Sequence, residues 1–270
     1  IQVQPAEVVK LTFILLLARQ LVWMKGRGDM KSIPAVGLLA GNLLVTIGLY
    51  YVISSDMGSA LVYVCIFACM AFAAGVALRW FALGIFGAGA GFYLLWELDK
   101  IPPYMKERFQ VLVDHSLYPL GAGWQQTRSL MAIGGGRLTG QGLLHGAQTQ
   151  STSSVNLPFR HTDFIFAVIG EELGMLGCVL TLALLAAIVI RCIVVARNAK
   201  SQLDAYICVG VVGMLVFQIV SNVGMCLFVL PVVGLTLPFI SYGGSSVVTL
   251  FIAMGMVSGI QKRSLPDWLR

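Results

Sequence analysis

The sequence predicts an all-α, polytopic membrane helical bundle with seven transmembrane helices and a large extracytoplasmic loop. Of its 270 residues, 58% are hydrophobic and only 11% are charged, whereas about a quarter of the residues in soluble domains are charged. The mean hydropathy of +0.86 also indicates a membrane protein. Strand patterns are absent, and the apolar segments are too long and too uniform for the strands of a membrane barrel. The pattern indicates one transmembrane domain over residues 1–270.

The seven predicted helices are segments long enough to cross the hydrocarbon core, which takes about 20 apolar residues. Pro5 suits the first turn of the first helix, where no backbone N–H is needed. Asp56 is expected to cap the third helix. Helix packing and cavity lining are both expected for the small residues and the Pro and Gly near residues 221–225 and 237–246. The segments lie at roughly residues 6–24, 33–53, 57–77, 79–97, 164–196, 203–230 and 242–260.

The basic residues predict the orientation of the helices, because Lys and Arg near helix ends mark the cytoplasmic side. Alternation of the seven segments brings ten cations and three acids to one face, a net charge of 10 − 3 = +7, so this face is expected to be cytoplasmic. The N-terminus of the chain then lies outside, which predicts an odd number of preceding helices. The cations are Lys25, Arg27, Lys31, Arg79, Arg191, Arg197, Lys200, Lys262, Arg263 and Arg270, and the acids are Asp29, Asp204 and Asp267.

The outer loop, at about residues 98–163, is rich in cations, and long loops are often functional. Six cations against Asp99, Glu107 and Asp114 predict an anionic ligand such as a phosphate or pyrophosphate, although a merely solvated loop would also carry such charges. Its glycines, among them residues 134–136, lack the Lys and Ser/Thr of a nucleotide-binding loop. We therefore expect tight turns there and no nucleotide or nucleic acid. The cations are Lys100, Lys106, Arg108, Arg128, Arg137 and Arg160.

Ionisable residues at the mouths of two helices indicate chemistry, because charge is costly in a membrane. Asp163 immediately precedes the fifth helix. Glu7 and Lys10 are three residues apart on the first helix, so they share a face and can pair, either as a balanced helix start or beside a buried polar cavity. Glu171 and Glu172 lie about 12 to 13.5 Å beyond Asp163 along a helix. We expect them to orient partners within the bundle.

Five segments in order resemble the SEDS (shape, elongation, division and sporulation) family over essentially the whole chain. This resemblance implies a fold of ten transmembrane helices, of which the chain corresponds to helices four to ten. It also implies polymerisation of lipid II, the undecaprenyl-pyrophosphate-linked disaccharide peptide, into peptidoglycan glycan strands during elongation, division or sporulation. The segments are QPAEVVK (4–10), GWQQTRSLMAIGGGRLTGQG (123–142), HTDFIFAVIGEELG (161–174), SNVGM (221–225) and LPFISYGGSS (237–246).

The resemblance assigns roles to individual residues. Asp163 is implied to be the catalytic base, which deprotonates the acceptor sugar hydroxyl in an inverting displacement. A base suffices because the lipid pyrophosphate is already a good leaving group that needs positive charge, from cations or from a divalent metal such as Mg²⁺ or Mn²⁺. His161 is a hydrogen-bonding candidate and, as a less favoured alternative, a metal ligand. The substrate-binding candidates are Glu7, Lys10, Arg108, Gln125, Arg160, His161, Ser241 and Ser245.

The sequence leaves two other functions open. A transporter of the lipid-linked precursor would also need polar residues facing a cavity, and a scaffold that only binds a partner is a third hypothesis. The chain departs from the family pattern at Phe159, where Glu is usual, and at Ala6, where Ser is usual. The resemblance also implies a partner, a class B penicillin-binding protein with transpeptidase activity, and a location in the cytoplasmic membrane with the catalytic face outside.

Overall fold

The computed structural model describes residues 4–27, 32–54, 57–114, 123–150 and 157–264. Within these ranges the chain forms nine α-helices and no β-strand, which confirms the all-α fold class. Asp56, the expected cap of the third helix, lies outside the described residues. The helices are α1 (Pro5–Gly26), α2 (Ile33–Ser54), α3 (Met57–Ala74), α4 (Leu78–Glu97), α5 (Pro103–Val113), α6 (Trp124–Gly135), α7 (Ile165–Arg197), α8 (Gln202–Cys226) and α9 (Gly244–Ser264).

All seven predicted segments are helices, as α1 to α4 and α7 to α9. Five of them (α2, α4, α7, α8 and α9) are long and apolar enough to cross a membrane, and α3 contributes a shorter apolar stretch, Gly58–Ala74. Helix α1 differs from these because it carries Glu7, Lys10, Arg19 and Lys25 in an otherwise apolar sequence. The chain is therefore a multi-pass membrane protein.

The predicted outer loop contains two helices that the sequence analysis did not anticipate, α5 and α6. Lys106 of α5 stabilises the turn between α4 and α5. Its ammonium pairs with the carboxylate of Asp99 and lies 5.3 Å from the ring centre of Trp96. This ammonium lowers the pKa of Asp99, which lies beyond the end of α4. The connection between α4 and α5 is thus held by side chains as well as by the backbone.

The helices belong to two compact units. The first comprises residues 1–87, 187–217 and 244–270, and the second comprises residues 88–186 and 218–243. Helices α4, α7 and α8 each contribute one part to each unit. The assignment of residues 1–270 to one domain stays a prediction.

The core of the first unit forms around α1, which packs against α2, α3 and α9. Ile14, Leu17 and Leu21 are fully buried along one face of α1. Tyr63 of α3 donates a hydrogen bond from its hydroxyl to the carbonyl oxygen of Ala6 at 3.2 Å. Burial of these side chains fixes α1, and with it the polar residues of its first turns.

The core of the second unit joins elements that are distant in the sequence. Phe164 and Ala167 at the start of α7 pack with Ala132 of α6, with Met225 at the end of α8, and with Leu237 in the segment that follows. All five side chains are buried. The unit therefore brings the turn that contains Asp163 against the segment between α8 and α9.

Gly210 lies where α8 packs closely against Ile14 of α1 and Met70 of α3 in the first unit. A Cβ added there would lie 2.7 Å from Cγ2 of Ile14 and 2.8 Å from Sδ of Met70. We expect Gly210→Val to destabilise the protein by about 1–3 kcal/mol through overpacking, measured as a lower Tm in detergent. Gly41→Val is the control because its Cβ would meet no atom within 4 Å; equal losses in both variants would contradict the prediction.

Candidate active site

Residues 157–164 form a tight turn that places Asp163 at the start of α7. The carbonyl oxygen of Phe159 accepts hydrogen bonds from the backbone N–H of Thr162 (3.1 Å) and of Phe164 (3.2 Å). Phe159 has φ of 54°, a left-handed conformation that costs a non-glycine residue roughly 1–2 kcal/mol. Its side chain is 63% exposed. The main-chain hydrogen bonds, and not the phenyl group, hold the turn.

Two buried side chains bind the backbone at Asp163. The amide Nδ2 of Asn222 donates to the carbonyl oxygen of Asp163 at 2.8 Å and to that of Leu235 at 2.7 Å. The hydroxyl of Ser241 donates to the carbonyl oxygen of Thr162 at 2.6 Å. Hydrogen bonds satisfy these main-chain oxygens in a place where water is scarce. Both donors therefore serve the position of Asp163.

The carbonyl oxygen of His161, which precedes Thr162 and Asp163 in the chain, also accepts a hydrogen bond. Its donor is the backbone N–H of Tyr242, at 2.8 Å. The carbonyls of His161, Thr162 and Asp163 are thus bound by Tyr242, Ser241 and Asn222, respectively, and we call these three bonds the carbonyl clamp. The clamp uses main-chain oxygens only, so it fixes half-buried Asp163 without using its carboxylate.

The carboxylate of Asp163 lies beside the backbone of the segment between α8 and α9. A Cβ added at Gly234 would lie 3.8 Å from Oδ2 of Asp163, an ordinary van der Waals contact. Gly234 has φ of 68°, a conformation that favours glycine. The turn at Gly234 therefore forms part of the immediate surroundings of the proposed base.

Ser241 was predicted to bind substrate, and the structure gives its hydroxyl two structural contacts. Besides donating to Thr162, the oxygen accepts a hydrogen bond from the backbone N–H of Leu237 at 2.8 Å. The Ser241 hydroxyl therefore positions the backbone of the turn that precedes α7. The substrate-binding assignment stays a prediction, as it does for Ser245, which is half-buried and belongs to the first unit.

Arg160 and His161 lie together on the turn before Asp163. Nε of Arg160 donates to Nε2 of His161 at 3.2 Å. Nη1 of Arg160 is buried and has no hydrogen-bond partner among the described residues. A buried donor without an acceptor is costly, so an anion beside this guanidinium would be stabilised. Among the described residues no cluster of three His, Cys, Asp or Glu could hold a metal ion.

Arg108 of α5 also approaches the segment after α8. Its Nη1 donates to the carbonyl oxygen of Val232 at 2.6 Å, and its guanidinium lies 5.9 Å from the ring centre of Tyr104. The side chain remains exposed overall. Arg108 therefore adds positive charge to the same segment that binds the turn of Asp163.

The substrate-binding assignment of Gln125 stays a prediction, whereas the neighbouring Gln126 makes buried contacts on α6. Its Nε2 donates to the carbonyl oxygens of Met225 (3.1 Å) and Leu230 (2.7 Å), whereas Gln125 is half-buried. Ser129 lies one turn further along α6 and is also buried. The spacing of Gln126 and Ser129 on one helix face was the signal that could have distinguished the two glutamines.

Helix α7 is interrupted at Gly174, where φ is 68° and ψ is −165°. Beyond the interruption, the backbone N–H groups of Met175 and Leu176 donate to the carbonyl oxygens of Arg137 (2.9 Å) and Leu138 (3.2 Å). In an unbroken helix these two N–H groups would bind the carbonyls four residues earlier. The loop after α6 replaces those helical partners.

The same loop also satisfies the carbonyls on the other side of the interruption. Those of Glu171 and Glu172 accept hydrogen bonds from the backbone N–H of Gln141 (2.9 Å) and Gly142 (3.0 Å). All four backbone groups of the two missing helical bonds therefore have partners. Residues 137–142 act as an insert into α7, and we refer to them as the α7 insert.

The carboxylates of Glu171 and Glu172 bind the residues that follow the α7 insert. The two oxygens of the Glu171 carboxylate accept hydrogen bonds from the backbone N–H groups of Gln148 (2.7 Å) and Thr149 (2.9 Å). The carboxylate of Glu172 accepts one from the backbone N–H of Leu144 (3.0 Å). Partners within the helix bundle were expected from the sequence. The structure corrects this, because the interruption of α7 brings the loop to the two carboxylates.

Glycine is required where the α7 insert meets α7. A Cβ at Gly136 would lie 1.8 Å from the carbonyl oxygen of Gly170, and one at Gly140 would lie 2.1 Å from that of Glu172. Gly140 also has φ of 82°. The sequence predicted tight turns at the loop glycines. Gly134 and Gly135 instead belong to α6, and the contact of Gly136 and Gly140 with the backbone of α7 was not predicted.

Glu7 and Lys10 form the predicted pair in the first unit. Nζ of Lys10 lies 2.7 Å from Oε1 of Glu7, and the Lys10 side chain is fully buried. A buried ammonium is stable only when it is paired. Lys10 is therefore not exposed at a balanced helix start, and the pair belongs to the interior of the unit.

Removal of the Glu171 carboxylate should loosen the loop around residues 144–150. In Glu171→Ala, two N–H groups lose their acceptors, at a cost of about 1–3 kcal/mol each. Hydrogen exchange should rise at residues 148 and 149, while the exposed-acid control Glu97→Ala should leave it unchanged. Unchanged exchange in Glu171→Ala would show that the carboxylate does not hold this loop.

Gly140→Ala should prevent the α7 insert from docking, because its Cβ would overlap the carbonyl oxygen of Glu172. We expect a loss of monodisperse protein and a lower Tm in detergent. The matched control is Gly134→Ala in α6, where the new Cβ meets no atom within 4 Å and alanine favours the helix by about 1 kcal/mol. A Gly140→Ala protein with the parent Tm would refute the prediction.

The family model for the FtsW, RodA and SpoVE proteins, described as cell cycle proteins, matches residues 1–265. Peptidoglycan glycosyltransferase MrdB of Escherichia coli strain K12 is 33% identical over 262 residues, which cover 96% of this chain and 68% of MrdB. A probable peptidoglycan glycosyltransferase FtsW of Coxiella burnetii is 36% identical over 266 residues, covering 95% of this chain and 68% of that relative.

A solved structure shows the same similarity in three dimensions. It is a chain from a peptidoglycan synthase complex that coordinates polymerization and crosslinking, with a TM-score of 0.80 and 31% identity. The match covers 99% of this chain and 72% of that chain. The helices and the turn at Asp163 therefore lie in a known architecture, and this chain belongs to the SEDS family of FtsW, RodA and SpoVE cell cycle proteins.

Proposed function

We propose that this chain is a peptidoglycan glycosyltransferase that polymerises lipid II into glycan strands at the outer face of the cytoplasmic membrane. Family membership supports the reaction class. The observation that carries the assignment to a site is the carbonyl clamp, which immobilises the backbone of Asp163 through three consecutive carbonyls. A base must be held in position to act, because misplacement by about 1 Å can cost 10²-fold in rate.

Asp163 acts as the general base in a single displacement. Its carboxylate accepts the proton of the acceptor sugar hydroxyl while the hydroxyl oxygen forms a bond to the anomeric carbon of the donor. The bond between that carbon and the pyrophosphate oxygen breaks, and the electron pair leaves with the lipid pyrophosphate. Attack opposite the α-linked leaving group gives a β-linkage. No general acid is needed, unlike in glycosidases with two carboxylates.

Cations stabilise the departing pyrophosphate, and the three candidates differ in their existing contacts. Nη1 of Arg160 is buried without a hydrogen-bond partner among the described residues. Arg108 binds a backbone carbonyl through one nitrogen, and a guanidinium carries five donors. Lys10 is engaged with Glu7. Arg160 is therefore the favoured pyrophosphate ligand, with Arg108 as a second cation.

The remaining assignments complete the proposal. A divalent cation, Mg²⁺ or Mn²⁺, would add positive charge at the pyrophosphate, and His161 is an exposed imidazole next to Asp163 that could bind it or the substrate. The similarity to a synthase complex that couples polymerization to crosslinking supports a class B penicillin-binding protein as the partner. The cation excess on the opposite ends of the helices supports a catalytic face outside the cell.

Asp163→Asn tests the base directly. Loss of a general base lowers rates by about 10²- to 10⁴-fold, so the variant should form glycan from purified lipid II at least about 10²-fold more slowly than the parent protein. Glu107→Gln, which neutralises a half-exposed acid of α5, should retain the parent rate. Gel analysis of labelled glycan strands measures both, and a parent rate in Asp163→Asn would refute the assignment.

The same preparations distinguish the other functions. A parent protein that moves fluorescent lipid II across vesicle membranes but forms no glycan would be a transporter. A parent protein that does neither, yet binds the penicillin-binding protein, would be a scaffold. Glycan formed by the parent and abolished in Asp163→Asn is the result that we expect.

A further inference from the structure

A cavity lies at the end of the first unit that carries the C-termini of α7 and α9. Its volume is about 310 Å³, at the lower end of the range for small-ligand sites. Both helix ends belong to the first unit. The cavity is lined by Arg191, Val194, Val195 and Asn198 of the α7 side and by Gln261 and Ser264 of α9. None of these residues belongs to the proposed active site.

The lining residues have the spacing of helix faces. Positions 191, 194 and 195 are related by three and four residues, so they lie on one face of α7, and Asn198 follows directly after its end. Positions 261 and 264 are one turn apart on α9. Polar groups thus come from both helices, and Val195, which is 3% exposed, provides an apolar wall. The cavity combines charge, hydrogen-bonding groups and an apolar surface.

Positive charge dominates this end of the unit. The described residues 187–204 and 260–264 contain five cations and one acid, a net charge of 5 − 1 = +4. The acid, Asp204, pairs with Arg263 at 3.3 Å. Among the described residues, no carboxylate lies within ion-pair distance of Arg191. The cations are Arg191, Arg197, Lys200, Lys262 and Arg263.

Arg191 lies within the last two turns of α7. It precedes the end of α7 at Arg197 by six residues, about 9 Å along the helix, and arginine can extend from such a depth towards the membrane surface. The net positive charge also assigns this end to the cytoplasmic side, where membranes are anionic. A ligand here would have an anionic group beside Arg191 and an apolar part beside the valines.

We infer that this cavity binds the headgroup of an anionic phospholipid of the phosphatidylglycerol type. The phosphate binds Arg191 through charge-assisted hydrogen bonds. The glycerol hydroxyls bind the amides of Asn198 and Gln261 and the oxygen of Ser264, whose hydroxyl proton is donated to the carbonyl of Ile260 at 2.9 Å. An acyl chain covers Val194. This site is independent of the reaction proposed for Asp163.

Native mass spectrometry of the purified protein with added dioleoylphosphatidylglycerol tests the inference. The parent should retain one phosphatidylglycerol in preference to dioleoylphosphatidylcholine. Arg191→Gln should weaken this binding about tenfold, as expected for loss of a charged hydrogen-bond donor. The matched control is Arg197→Gln, which removes the same charge from α7 outside the cavity and should leave binding unchanged. Each variant must keep the parent Tm.

A second variant and a competitor make the result specific. Gln261→Leu, on the other helix, should also weaken phosphatidylglycerol binding. Inorganic phosphate in excess should not displace the lipid; displacement would indicate a free-anion site and overturn the lipid assignment. Equal losses in Arg191→Gln and Arg197→Gln, or equal retention of the two lipids by the parent, would show that no specific headgroup site exists.

Discussion

The requirement that every backbone polar group at membrane depth has a partner governs this structure. Where α7 breaks at Gly174, two helical hydrogen bonds are lost, and the α7 insert restores partners to all four groups. Broken helices are tolerated near a membrane only under this condition. The loop after α6 is therefore an integral part of the helix that follows Asp163. Its glycines are required because backbone approaches backbone.

The same requirement explains how Asp163 is positioned. Non-helical backbone precedes α7, and its carbonyls would be unsatisfied without the carbonyl clamp. Asn222, Ser241 and Tyr242 supply the donors from the end of α8 and the segment after it. The bonds that stabilise the irregular turn also fix the carboxylate-bearing residue. The same hydrogen bonds thus satisfy the backbone carbonyls of the turn and position Asp163 for catalysis.

Polar residues near the site divide into those that bind backbone and those that remain for chemistry. Gln126 and Glu171 are buried and bind main-chain groups, so they shape the segments around Asp163. Arg160 and His161 precede the proposed base in the same turn, and their side chains take no part in the carbonyl clamp. The type of a residue does not show which of these roles it has, because polar side chains of the same type can bind backbone groups or take part in the reaction.

Local sequence patterns were enough to predict the class of protein, the seven apolar helices, the pairing of Glu7 with Lys10 and the place of Asp163 before a helix. These features depend on local periodicity and spacing, which a single chain segment carries. The tertiary structure was needed to show which carbonyls Gln126 binds, that α7 is interrupted by a loop, and that Asn222 binds the backbone of Asp163. Those facts depend on contacts between segments up to about a hundred residues apart, and no local pattern specifies which backbone carbonyl a buried amide will find.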